Sequence, residues 1–188
     1  MTEDQRLVQA VLARKAGAFE RLVREYQGLC WHIVYRMVRH PEDARELCQE
    51  VFLRVHRCLH QYRGDSALKS WIGQVAYTIA LRHLQRRRIP LVEPPDDEDG
   101  QNPLEQIDDG FDLEAACADE ELNRHLQAAL ESLPPLPRTV LTLYHLDELS
   151  IAEIAMVTGL ASGTIKSHLF RSRRQLRERL EQRIGTFS

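Results

Sequence analysis

The sequence predicts an all-α protein made of two small helical domains joined by an acidic flexible linker. Three features carry that expectation. Long stretches such as "AFERLVREYQGLCWHIVYRMV" and "DARELCQEVFLRVHRCL" place apolar residues three and four apart, the period of a helix with one buried face. Strand-like alternation is scarce. Between the helical blocks lies "IPLVEPPDDEDGQNPLEQIDDG", which has four prolines, two glycines, little apolar periodicity and a run of like charge, so it lacks the means to pack. The 188 residues, 43% hydrophobic and 28% charged, suffice for one domain with a good core or for two small ones.

The first block, residues 1–88, reads as four helices. Glu3 to about Lys15 is short and amphipathic, and Ala18 to about Arg39 is the longest apolar-periodic run. The third helix opens at "HPEDAR" and runs to about His60. Pro41 suits a first helical position, and Glu42 and Asp43 suit the positive end of the helix dipole. "QYRGDS" breaks the pattern, with Gly64 free to turn and Ser66 placed to cap. The fourth helix, "ALKSWIGQVAYTIALRHLQRRR", ends in a basic tail. The linker, residues 89–111, follows; its 22 residues from Ile89 to Gly110 can extend on the order of 70 Å. The second block, 112–188, opens near Asp112 with "LEAACADEELNRHLQAALESL". "PPLP" stops that helix and Pro137 can open the next, "RTVLTLYHLDE". "SIAEIAMVTG" and "SGTIKSHLFRSRRQL" complete the chain's helices.

The net charge of −3 conceals a segregation. Residues 1–88 carry 16 Lys/Arg against 9 Asp/Glu, residues 89–121 carry 13 acidic residues and no basic one, and residues 122–188 carry 9 basic against 6 acidic. Two basic blocks flank an acidic tether, so a low overall charge does not argue against a nucleic-acid partner. The tether reads either as a solubilising spacer or as a nucleic-acid mimic that screens the basic domains.

Other chemistries find little support. No apolar run approaches the ~18 residues of a membrane span and no N-terminal signal pattern appears, so a cytoplasmic location and no membrane insertion are expected. Cys30, Cys48, Cys58 and Cys117 are scattered without a C-x-x-C pair and read as reduced thiols. In His56-x-Cys58-x-His60 only the two histidines share a helical face, and two ligands do not close a metal site, so a solvated helix surface is the better reading. No paired carboxylates, Gly-rich phosphate loop or nucleophile constellation is present, so neither an enzyme nor a cofactor is expected.

The C-terminal block carries the informative motif. Ser150 and Glu153 form a capping box, and the twenty residues from Ile151 fit a helix-turn-helix. Ala155 is small where two helices cross, and Gly159 stands where the turn needs positive φ. Ser162 can cap the second helix. On that helix Ile165, Leu169, Leu176 and Leu180 form one buried stripe. The opposite side carries Gly163, Ser167, Phe170, Arg171 and Arg174, flanked by Thr164, Lys166, Arg173 and Arg177. A solvated basic face explains the arginines but leaves Phe170 without a reason, its ring pointing away from the stripe. A major-groove reader explains both: the ring meets thymine methyls while Lys166 and Arg171 reach guanine edges or phosphates.

The whole arrangement resembles a bacterial sigma-70-family sigma factor of the extracytoplasmic function (ECF) group. The resemblance rests on "EDARELCQEVFLRVHRCLHQYRGDSALKSWIGQVAYTIALRHL" and "LPPLPRTVLTLYHLDELSIAEIAMVTGLASGTIKSHLFRSRRQLRERL", in the family's order and separation. It implies a region 2 domain and a region 4 domain that bridge core RNA polymerase and promoter DNA. On the resemblance, the helix with Asp43, Glu46, Gln49, Glu50 and Phe52 docks on the polymerase β′ clamp helices, and the β flap is a second contact. The loop Tyr62, Arg63, Gly64, Asp65 and Ser66, with Lys69, Trp71, Gln74 and Thr78 on the next helix, reads and opens the minus-10 element, holding a flipped base in a pocket. Trp71 reads equally as a core aromatic, and Tyr77 reads better as one. Thr164, Lys166, Ser167, His168, Phe170, Arg171 and Arg174 read the minus-35 element. An anti-sigma factor is a further implied partner.

Three residues depart from the family's usual pattern. Arg45 replaces an acidic residue on the polymerase-facing helix and inverts one charge there. Thr78 stands where asparagine is common, so the preferred minus-10 base is expected to differ. His168 stands where arginine is common, which predicts a different minus-35 preference or a contact that strengthens as pH falls through ~6.5. The competing reading is a stand-alone helix-turn-helix regulator whose first block dimerises. That protein binds duplex DNA unaided, whereas a sigma factor needs core enzyme.

Overall fold

The computed structural model describes residues 1–92 and 120–184, and among these it contains eight α-helices and no strand. The chain divides into two compact units, the first holding Met1–Ile89 and the second most of the remainder. The start of the helix expected from near Asp112, most of the acidic tether and Cys117 fall within residues 93–119, outside the described residues.

In the first unit α1 spans Glu3–Leu12, α2 Ala18–Val38, α3 Pro41–Cys58 and α4 Leu68–Arg86, with a 3₁₀ turn at Leu59–Gln61 after α3. Helix α2 is the central element and packs against the other three helices. Its buried face of Leu22, Cys30, Ile33, Val34 and Met37 meets Leu47, Val51 and Val55 of α3 and Leu68, Ile72, Ala76 and Leu84 of α4, all buried. Each fully buried Leu or Ile contributes roughly 1.5–3 kcal/mol. Tyr77 is buried among these residues, which settles it as a core aromatic. Burial pushes the Cys48 thiol up to about 11 and the Cys30 thiol higher still, so both are poor nucleophiles at neutral pH. His56 is exposed and meets Phe19 edge to face at 4.9 Å, and among the described residues no group of three metal-ligating side chains converges.

Helix α3 begins with Pro41 in its first turn, as expected, and His40 caps it through Nδ1. Helix α4 does not begin as expected. Its N-cap is Ala67, whose methyl group cannot accept a hydrogen bond, so Ser66 stands one residue before the cap position. The acceptor comes from α1 instead, where Asp4 Oδ2 takes the Leu68 N–H at 2.9 Å.

Further along the chain α5 spans Glu120–Glu131, α6 Pro135–His145, α7 Ile151–Thr158 and α8 Ser162–Ile184, all in the second unit except Met156–Gly159. Helix α6 opens at Pro135, two residues earlier than Pro137 alone suggested. The first turn of a helix has no intrahelical use for its N–H groups, so both prolines fit within it. Helices α5 and α6 pack against α8. Leu126, Leu130, Val140, Leu141 and the whole expected stripe of α8 (Ile165, Leu169, Leu176 and Leu180) are buried. Ser162 is the first residue inside α8 rather than its cap, since the Ile165 N–H already donates to the Ala161 carbonyl.

Candidate nucleic-acid interfaces

The helix-turn-helix of α7 and α8 is set by three devices. The Ser150 N–H donates to Glu153 Oε2 at 2.8 Å while the Glu153 N–H donates to Ser150 Oγ at 3.2 Å, closing the capping box that starts α7. Gly159 holds φ +75° in the turn, a conformation that costs a side-chain-bearing residue strain. The third device lies on α8 itself. Arg173, expected on the outer flank, is only 6% exposed. It lies about 40° round the helix from Leu169, at 3.6 residues per turn, and so continues the buried stripe. Its Nε donates to His145 Nε2 at 3.0 Å, and its guanidinium lies 5.6 Å from the Tyr144 ring centre. A guanidinium only donates, so His145 accepts at Nε2 and carries its proton on Nδ1. Arg173 thus fastens α8 to α6.

The outward face keeps the remaining residues together. Thr164, Arg171 and Arg174 are exposed, and Lys166, Ser167, His168 and Phe170 are half-buried. Phe170 is therefore not the bare ring the sequence suggested. Arg174 is drawn to Glu178 one turn on, Nε to Oε1 at 3.1 Å. Burial and then the neighbouring Arg171 charge push the His168 imidazole below its ordinary 6.5, so the ring is neutral at physiological pH.

In the first unit the loop Tyr62–Ser66 and α4 form a second surface. The Tyr62 hydroxyl donates to the Ser66 carbonyl at 2.6 Å across the turn that Gly64 makes at φ +80°. Arg63 and Asp65 are exposed. Tyr62 and Trp71 meet with ring centres 5.8 Å apart and planes tilted by 60°. Trp71 and Lys69 are half-buried and Gln74 is exposed, so Trp71 belongs to the surface as well as to the packing. Thr78 spends its hydroxyl proton on the Gln74 carbonyl at 2.8 Å, leaving an acceptor facing out. Burial, then Asp4 and Asp65, raises the Tyr62 phenol above its ordinary value, which keeps it a donor.

Along α3, Glu46, Gln49 and Glu50 are exposed and Phe52 is half-buried. Asp43 is turned away from that row. Its Oδ2 lies 3.1 Å from Arg87 Nη2 and 3.5 Å from His83 Nε2, tying the start of α3 to the end of α4. Leu53 joins the row instead, 59% exposed and one turn beyond Gln49 and Glu50. An apolar residue opposite the Leu47–Val51–Val55 stripe is the signal that marks it.

Both units find counterparts among known proteins. Residues 22–89 match the family described as sigma-70 region 2, and residues 124–176 match sigma-70, region 4. The ECF RNA polymerase sigma-E factor of Escherichia coli is 34% identical over 96% of each chain. The chain belongs to the ECF group of the sigma-70 family. The RNA polymerase sigma-H factor of Pseudomonas aeruginosa is 31% identical over 95% of this chain and 94% of its own. In fold, the sigma factor RpoE of Bartonella quintana, solved with the anti-sigma factor NepR, covers 88% of this chain and 98% of its own at a TM-score of 0.64 and 19% identity.

Within this ECF chain, the residues that depart from the family's usual pattern sit at the surface or near it. Arg45 is exposed and its Nη1 lies 3.9 Å from Glu42 Oε1, so the inverted charge is partly offset by its own helix. Thr78 and His168 are half-buried on the two candidate reading faces. Asp4 and Gln5, which touch the Tyr62–Ser66 loop region from α1, carry no local sequence signal for that role.

Proposed function

We propose a division of labour within this ECF sigma factor, which binds core RNA polymerase and directs promoter-specific initiation. Residues 1–88 dock on the polymerase clamp through the α3 row Glu46, Gln49, Glu50, Phe52 and Leu53. The same domain opens the minus-10 element with the Tyr62–Ser66 loop, Lys69, Trp71, Gln74 and Thr78. Residues 112–188 read the minus-35 element with Thr164, Lys166, Ser167, His168, Phe170, Arg171 and Arg174. Residues 89–111 join the two domains, and bond-making stays with the polymerase. The factor works in the cytoplasm, where the polymerase and promoter are.

The observation that carries this reading is the outward face of α8. A helix fastened from behind by Arg173 presents a half-buried aromatic ring and two exposed arginines where a groove can receive them. Region 2 and region 4 matches in the family's order support the pairing with polymerase over a stand-alone regulator. An anti-sigma partner is part of the proposal, since a fold relative was solved bound to one. Reconstituted transcription on a genomic fragment library tests it. Start sites should appear only when core enzyme and this chain are both present; specific duplex binding by the chain alone, with no such start sites, would favour the stand-alone regulator.

A further inference from the structure

A helix that opens without its own cap needs an acceptor for its first N–H groups. Helix α4 obtains one from Asp4, which lies 64 positions earlier in the chain. The same carboxylate accepts from the Tyr26 hydroxyl of α2 through Oδ1 at 3.3 Å, so one side chain ties together three helices. A negative group at this point also complements the positive end of the α4 dipole. The next residue reaches the loop directly. The Gln5 oxygen is held by the Thr2 N–H at 2.9 Å, and its Nε2 rests where a Cβ on Gly64 would come within 2.9 Å. Helix α1 is itself anchored, by buried Leu7, Val8 and Val11 and by the Glu3–Arg21 ion pair at 2.7 Å.

We infer that Asp4, backed by Gln5, is a positioning residue for minus-10 reading. Its carboxylate fixes the exit of the Tyr62–Ser66 loop and the first turn of α4, and through them the Tyr62–Trp71 pair. The inference rests on the proposed reading that this loop and helix open the promoter. It assigns to α1 a part in promoter opening although α1 need touch neither DNA nor polymerase for it. Without Asp4 the Leu68 N–H loses its acceptor, the first turn of α4 frays, and the contact between the Tyr62 and Trp71 rings is no longer held before DNA arrives. With Asn in its place an oxygen acceptor remains and only the charge is lost.

The test uses the full chain with core enzyme and a promoter carrying a fluorescent base analogue in the minus-10 element. Asp4→Ala should open it about tenfold more slowly, the order expected when a helix loses a side-chain cap. Core affinity should stay within about twofold of the parent, because the α3 row is untouched. Asp4→Asn should recover most of the rate. Hydrogen exchange supplies a readout that needs no promoter: Asp4→Ala should speed exchange across residues 62–70 and leave the α2–α3 core protected. Unchanged exchange at 62–70 overturns the inference. So does opening at the parental rate, or a loss of opening and core affinity by the same factor that Asp4→Asn does not relieve. If the parent chain opens no promoter with core while exchange responds as expected, the proposed function fails, and the minus-10 role falls with it; the capping contact alone stands.

Discussion

The two candidate reading surfaces are prepared in different ways. The recognition helix α8 is set by two local devices, Ser150 with Glu153 and the Gly159 turn, and by one contact across 28 positions, Arg173 against His145. On its outward face Thr164, Arg171 and Arg174 are exposed, and Lys166, Ser167, His168 and Phe170 are half-buried. In the first unit the Tyr62–Ser66 loop and the start of α4 are set by residues far away in sequence, Asp4 at 64 positions from Leu68 and Gln5 beside Gly64. A helix fixed from behind suits reading of a closed duplex, whereas opening a duplex calls for groups held in place before the base arrives, which long-range contacts can do.

That contrast can be broken most forcefully at Arg173. Arg173→Ala removes a buried guanidinium together with its bond to His145 and its contact with Tyr144. It should destabilise the second unit by about 2–3 kcal/mol, read by denaturant unfolding of the full chain. Minus-35 binding should fall with it. Arg171→Ala is the counterpart on the outer face. It should leave stability within ~0.5 kcal/mol and cost roughly 1–3 kcal/mol on the cognate minus-35 duplex, measured with holoenzyme. If the two variants behaved alike, the separation between fastening and reading would be wrong.

A smaller effect separates the first unit from the second. Tyr62→Phe keeps the ring against Trp71 and loses only the bond to the Ser66 carbonyl. It should cost about 0.5–1.5 kcal/mol in the barrier to promoter opening, with minus-35 affinity unchanged. A loss in minus-35 affinity instead would tie the two surfaces together.

The same contrast explains what the sequence makes legible. Helix α8 could be read from its stripe because Ile165, Leu169, Leu176 and Leu180 repeat along one element, and periodicity is a local property. Arg173 escaped because a wheel treats every arginine as solvent-facing; only the nearness of His145 and Tyr144 shows that this one is inside. Ser66 misled for a related reason. A serine before a helix usually caps it, but an acceptor already placed by α1 outcompeted it. Asp43 has acidic first-turn chemistry whether it faces a partner or Arg87, so its inward turn had no sequence signature. Leu53 is the exception among the missed residues, since an apolar residue opposite its helix's stripe can be seen in the sequence. The fold class and the element order were thus local information. The contacts that tune the sites join residues 28 to 64 positions apart.

His168 gives the smallest effect and the finest test of the outer face. Its folded ring resists protonation, because burial and the Arg171 charge both disfavour the cation. The unfolded chain, with a histidine of ordinary 6.5, therefore binds the proton more readily as pH drops below that value. Stability is unaffected by this group above about 6.5 and declines as pH falls through the window beneath it. DNA acts in the opposite sense, since phosphates beside the ring favour the cation. The minus-35 contact should then strengthen as pH falls, with an onset set by the balance between burial with the Arg171 charge, which delay protonation, and the phosphates, which favour it. Binding of the minus-35 duplex by holoenzyme at pH 7.5 and 5.5, alongside His168→Asn, separates the terms. The variant should lose both the stability decline and the gain in affinity. If its pH profile matches the parent's in both measurements, His168 neither titrates in this window nor faces the DNA.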